Sequence, residues 1–172
     1  HIGWAFVPTG TLLGQIMHTI GRLTAPIMCY FIAEGYYHTR NVKKYALRLF
    51  VFALISHVPF CYYRTGQLPF PFSKNLSTPI ETSVMYTLLL GLLTLVVWHN
   101  EKISDVARLT FILLLCILAV PGDWGLTGVL WIFLFGINRG NFKEQALAFS
   151  IIAIPIAFSF LILLLDGDSR WY

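Results

Sequence analysis

The sequence predicts an all-α protein, a polytopic transmembrane helix bundle of about six or seven spans, and three observations carry that expectation. Hydrophobic residues fill 57% of the 172 positions and charged residues only 12%, with a mean hydropathy of +0.71, whereas a soluble domain would need more polar surface. The apolar residues fall into runs that approach or exceed what is needed to cross about 30 Å of hydrocarbon. The basic residues cluster in alternate turns between those runs, as they do in chains that cross a bilayer repeatedly.

Taken in order, residues 1–8 read as the outgoing end of a helix and residues 15–21 as a short connecting piece. Spans are expected over 22–37, 45–63, 81–98, 107–120, 124–137 and 145–165. The fourth and fifth are short and are joined only by Pro121, Gly122 and Asp123, which predicts a tight helical hairpin, one arm of which could be tilted or re-entrant. The longest polar connection, 64–79, still holds Leu68, Phe70 and Phe72. Residues 1–172 therefore read as a single transmembrane domain. Because the chain opens on His1 and stops a few residues after an apolar run, it is expected to be a fragment with flanking helices on either side. An apolar first helix serves for insertion without a signal peptide.

Orientation follows from the cations. Arg40, Lys43, Lys44 and Arg48 lie at the first turn, Lys102 and Arg108 at the second, Arg139 and Lys143 at the third. The opposite face holds only Arg22, Arg64, Lys74 and Arg170. The richer set belongs in the cytoplasm, which predicts a multi-pass protein of a bacterial cytoplasmic membrane with lipid as its first partner. The net charge of +4 then reports topology. A nucleic-acid partner is excluded, since no soluble face interleaves basic and aromatic residues.

Arg22, Glu34, His38 and His57 sit at or inside apolar spans, where an ionisable group costs about 3 kcal/mol unless paired or wet, so a polar cavity is expected. Tyr30, Glu34 and His38 recur every four residues and share one helix face that should line it. Glu34 either clamps Arg22 or Arg48 of a neighbouring helix or takes a direct part in chemistry. No metal is expected, because Glu34 and His38 offer two ligands and no third is spaced to join them. Cys29, Cys61 and Cys116 form no CxxC pair, and Cys29 and Cys116 read as small buried hydrophobes. Gly122, Gly125 and Gly128 suit close helix packing, and no glycine-rich phosphate loop is present. His18 and His99 read as surface residues, and Trp4, Trp98, Trp124, Trp171 and Tyr172 as an interfacial belt.

Several blocks together resemble the TraX family of membrane acetyltransferases. They are Gly21-Arg22 leading into an apolar span, Glu34-Gly35 with two aromatics, then HTRN and KKY over 38–45, Arg48-Leu49, and Ile55-Ser56 ahead of Pro59-Phe60. His1-Ile2-Gly3 matches the end of an Asp-His-Ile-Gly motif, and MYTLLLGLL over 85–93 and DWGLTGVLWIF over 123–133 continue the likeness in order. His57 departs from it, standing where an acid is common. The resemblance implies acetylation of a conjugative pilin N-terminus and an architecture like that of integral membrane acyltransferases fed by cytoplasmic acyl-CoA.

Acetyl transfer needs a base for the acceptor's proton and donors for the developing oxyanion. His1 is the candidate base, against the alternative of a histidine hydrogen-bonded within the bundle; Glu34 and His38 are further catalytic candidates. Arg40, Lys43, Lys44 and Arg48 supply cations for the phosphates of acetyl-CoA, and Asn41 can cap the next helix and leave N–H groups free beside them. The plainer reading is that these cations mark the cytoplasmic side and touch anionic lipid. The expected enzyme draws acetyl-CoA to that mouth, presents its thioester to His1, and takes its acceptor, a pilin amine or an envelope glycan, from the outer side. Two other classes fit the same residues: a small secondary transporter or channel, and a non-catalytic membrane assembly subunit. A transporter would show inverted repeats or paired broken helices, and neither is evident.

Overall fold

The computed structural model describes residues 12–66 and 82–165, and within them the chain is helical. Six helices follow one another: α1 (Leu12–His38), α2 (Val42–Thr65), α3 (Val84–Trp98), α4 (Asp105–Leu118), α5 (Gly125–Ile137) and α6 (Phe142–Leu165). Five match expected spans to within three residues. The first does not, because α1 is continuous through 15–21, where a connecting piece was expected. Polar residues such as Gln15 and Thr19 cost a helix well under 1 kcal/mol each and do not end one; the proline inside α1 is Pro26, and the helix runs on through it. The expected helix end at 1–8, the 67–81 connection, Trp4, Trp171 and Tyr172 lie outside the described residues.

Local signals explain the boundaries. Asn41 begins α2 by accepting a hydrogen bond from the Lys44 N–H at 3.0 Å, the cap its position predicts. Gly66 ends α2 at φ 67°, its N–H donating to the Tyr62 carbonyl, a left-handed stop that favours glycine. Ser104 caps α4 through the Ala107 N–H. Between α4 and α5 residues 119–124 make the expected tight turn, in which the Gly122 N–H donates to the Ala119 carbonyl at 2.8 Å.

The core lies along α3 and α5. Helix α3 packs on α1, α2, α4 and α5, and α5 packs on α1, α3, α4 and α6. Leu92, Leu95, Val129 and Ile132 are fully enclosed, with Cys29, Ile32 and Phe135 around them. Small residues set this closeness. A methyl group on Gly91 would collide with Ile132, on Gly136 with Leu95, and on Gly128 with Thr87, so the packing role expected of Gly128 holds. The contacts repeat in register along three parallel helices: Cys29, Thr87 and Gly128 meet at one level, and Tyr37, Leu95 and Gly136 meet at a second. Trp124 is partly buried and packs against this core, beside Trp131 with ring centroids 6.1 Å apart. Cys29 is buried and donates to the Gly128 carbonyl at 3.5 Å, as a structural thiol would.

Helix α4 has no buried residue. Phe111, Leu113, Ile117 and Leu118 are exposed along it, as are Phe31, Phe52, Ile55 and Ile151 elsewhere on the outside. By length and composition α2 is able to cross a membrane over Val42–Tyr63, and α3 and α5 are shorter apolar helices.

Candidate functional site

At one end of the bundle α1, α3 and α5 finish and α2, α4 and α6 begin. Three residues lock it. The Tyr37 hydroxyl donates to the Gly136 carbonyl at 2.7 Å, binding α1 to α5. The same oxygen lies 3.2 Å from Nε2 of His99, while Nδ1 of His99 faces the Leu95 carbonyl at 2.9 Å and so carries a proton. The Tyr36 ring lies against His99, with centroids 5.3 Å apart. His99 is exposed, as expected of a surface residue, and it also braces Tyr37 at the end of α3.

Glu34 and His38 sit one turn apart on α1, and the turn between α5 and α6 brings Arg139 to them. Glycine at 140, with φ 86°, lets that turn close. Nε of Arg139 donates to both oxygens of Glu34, at 3.2 and 3.1 Å, and one terminal nitrogen lies 3.1 Å from Nε2 of His38. That same Nε2 is 3.4 Å from Glu34 Oε2. The Arg139 guanidinium carbon stands 4.7 Å from the Tyr37 ring centroid, a cation–π distance. Glu34 is thus clamped, but by Arg139 and His38. The expected partner Arg48 is exposed on α2 and makes no ion pair among the described residues. The partner lies 105 positions away in sequence, beyond what helical spacing can reveal.

An open cleft of about 650 Å³ adjoins the cluster, lined by Tyr30, Glu34, Tyr37, Ile137, Arg139, Phe142 and Gln145. Tyr30 and Glu34 line it from one helix face, as their spacing predicts, whereas His38, expected to join them, is not among the lining residues and has 72% of its side chain exposed. Gln145 is steadied by donating to the Phe135 carbonyl at 3.1 Å. Arg40, Asn41, Lys43, Lys44 and Arg48 lie at the same end, exposed, on the turn after His38 and the start of α2. His1 lies outside the described residues. Tyr37, His99, Arg139 and Gln145 were not singled out from sequence as site residues. The only mark on Arg139 was its charge, which served as a topology signal.

The structure also accounts for two letters of the quoted motif. Tyr45, from the KKY block, lies flat against Gly35 of the EG pair, so that a side chain at Gly35 would meet the Tyr45 hydroxyl at 2.8 Å. Gly35 and Tyr45 thus meet where the end of α1 and the start of α2 flank the basic turn.

The family model described as TraX protein matches residues 1–169. This chain belongs to the TraX family. Among curated proteins it is similar to the "Probable fimbrial assembly protein FimC, serogroup H1" of Dichelobacter nodosus, with 30% identity over 159 residues. That match covers 91% of this chain and 63% of the relative, so the chain spans a little under two thirds of the relative's length. No solved structure matches. In this TraX chain the EGYYHTRN block is the place where one helix presents Glu34, Tyr37 and His38 to Arg139 and then turns through its exposed cations.

Proposed function

We propose that this TraX chain is the catalytic part of a multi-pass membrane acetyltransferase that moves an acetyl group from cytoplasmic acetyl-CoA to an acceptor at the opposite face, the N-terminal amine of a pilin being the first choice. The observation that supports this reading most is the convergence at one end of the bundle of a cleft, a buttressed carboxylate–guanidinium–imidazole cluster and an exposed basic turn. Arg40, Lys43, Lys44 and Arg48 meet the phosphates of coenzyme A, with the capped start of α2 beside them. Glu34 serves as a clamp that fixes Arg139 and His38 rather than as the base, since its carboxylate is already occupied. His1 remains the proposed base. The many exposed apolar side chains of α2, α4 and α6 favour lipid as the surrounding solvent and a cytoplasmic-membrane location.

The test uses the full-length protein, isotope-labelled acetyl-CoA and a peptide carrying a pilin N-terminus, read by mass spectrometry. Label is expected on the peptide amine, and His1→Ala should slow its appearance by about 100-fold to 10,000-fold, the usual cost of losing a general base, while leaving coenzyme A binding intact. No transfer to peptide or to envelope glycan would defeat the acetyltransferase reading. A non-catalytic assembly subunit is the second reading, favoured by the similarity to the Dichelobacter fimbrial assembly protein; it predicts co-purification with pilin or its assembly machinery and no acetylation.

A further inference from the structure

One atom of the cluster faces two incompatible demands. Nε2 of His38 stands 3.1 Å from a nitrogen of Arg139, which can only donate, and 3.4 Å from Glu34 Oε2, which as a carboxylate can only accept. A neutral imidazole with its proton on Nδ1 satisfies Arg139 and leaves Glu34 without a bond from His38. An imidazolium satisfies Glu34 and turns Arg139 away, since both then donate and both are cationic. The Arg139–Glu34 pair is itself loosely made. A single N–H is shared between two oxygens, where a guanidinium normally grips a carboxylate with two parallel N–H groups. The imidazole has ready access to protons, with 72% of its side chain in solvent, against 22% for Glu34 and 37% for Arg139.

We propose that the Glu34–His38–Arg139 cluster is a proton-operated phosphate site: protonation of His38 transfers Glu34 from Arg139 to the imidazolium and frees the guanidinium to hold a phosphate in the cleft. The proton comes from bulk water and no covalent bond changes. Tyr37 stays beneath the guanidinium in both states, its hydroxyl fixed on Gly136, so Arg139 swings over a constant platform. The other ionisable groups at this end are Tyr36 and Tyr37 on α1, His99 on α3, Glu101, Lys102, Asp105 and Arg108 around the start of α4, Arg40, Lys43, Lys44, Tyr45 and Arg48 around the start of α2, and Lys143 and Glu144 on the first turn of α6. Among the described residues none of these is in a hydrogen bond or ion pair with His38. Their balance is positive, which favours an anion once Glu34 no longer neutralises Arg139. The phosphate has two sources, coenzyme A and the headgroup of an anionic lipid; the first rests on the acetyltransferase reading and the second does not.

Calorimetric titration of the full-length protein with coenzyme A at pH 5.5 and pH 8, a range spanning ordinary histidine titration, tests the gate. The wild type should bind about tenfold tighter at the lower pH, the scale of one charge-assisted hydrogen bond. The ligand works against this trend, because a phosphate monoester loses charge on acidification through its second pKa of about 6. His38→Ala should bind weakly at both values, Glu34→Gln tightly at both, and Arg139→Gln weakly at both. The exposed His38 variant carries the test even if Glu34→Gln fails to fold. In parallel, 15N-histidine spectra at pH 8 should show the His38 proton on Nδ1. A parallel arm titrates the protein with phosphatidylglycerol vesicles against phosphatidylcholine vesicles. The same pH dependence for phosphatidylglycerol alone, with no binding of coenzyme A, keeps the gate and removes the acetyl donor from it. Equal pH dependence in His38→Ala, a proton on Nε2 at pH 8, or binding of neither phosphate overturns the gate, and the first of these leaves the coenzyme A site standing.

Discussion

The centre of the bundle and its Tyr37 end are held by different physics. Along α3 and α5 the contact is made by absence: glycines at 91, 128 and 136 let Ile132, Thr87 and Leu95 approach backbone, and the enclosed side chains are almost all apolar. At the Tyr37 end the contact is made by long polar side chains reaching between helices, and a cleft remains open beside them. The first arrangement tolerates almost no change of shape but is indifferent to pH and salt. The second tolerates shape change and is sensitive to both. Rigidity at the centre is what allows the end to keep a loosely paired arginine in place beside a cleft.

The strongest challenge to this contrast is Leu92→Ala, which opens a cavity where Leu92 is wholly enclosed. It should cost about 2 to 5 kcal/mol, read as a large fall in the unfolding midpoint of the full-length protein in detergent, unchanged between low and high salt. Gly136→Val comes next, because the added methyls meet Leu95; overpacking of this kind costs about 1 to 3 kcal/mol. Glu34→Gln should cost less, about 1 to 2 kcal/mol, since the pair it breaks is partly exposed and screened by solvent. Its loss should shrink in high salt, which the core variants' losses should not. A salt-independent loss of the same size in Glu34→Gln would erase the distinction between the two regions. Tyr37→Phe keeps the ring under Arg139 and removes the hydrogen bond to Gly136, for about 1 kcal/mol. The smallest effect belongs to the triple change of Arg40, Lys43 and Lys44 to alanine, which should leave the melting midpoint unchanged while lowering coenzyme A affinity in a salt-dependent way, measured by calorimetry.

The regions also differ in how far they could be read from sequence. Helix positions come from local apolar runs and caps, and Asn41 is a clear case, its side chain accepting from Lys44 three residues on. The misreading at 15–21 has a local origin too: nothing in that stretch prevents helical hydrogen bonding, and α1 runs through it. The packing of Gly128 was legible because small residues near a helix entry have few other uses, whereas Gly35 gave no sign of the Tyr45 ring that covers it.

By itself the sequence determined the helical class, most helix boundaries, the alternation of basic turns, and the shared face of Tyr30 and Glu34, because each depends on residues within a turn or a hydrocarbon length of one another. Only the tertiary structure decided that α3 and α5 form the centre, that His99 braces Tyr37, and that Arg139 rather than Arg48 meets Glu34. These pairings join residues 62 to 105 positions apart. A charge in sequence has no direction until packing gives it one, and here the glycine contacts between helices chose which cation would face which acid.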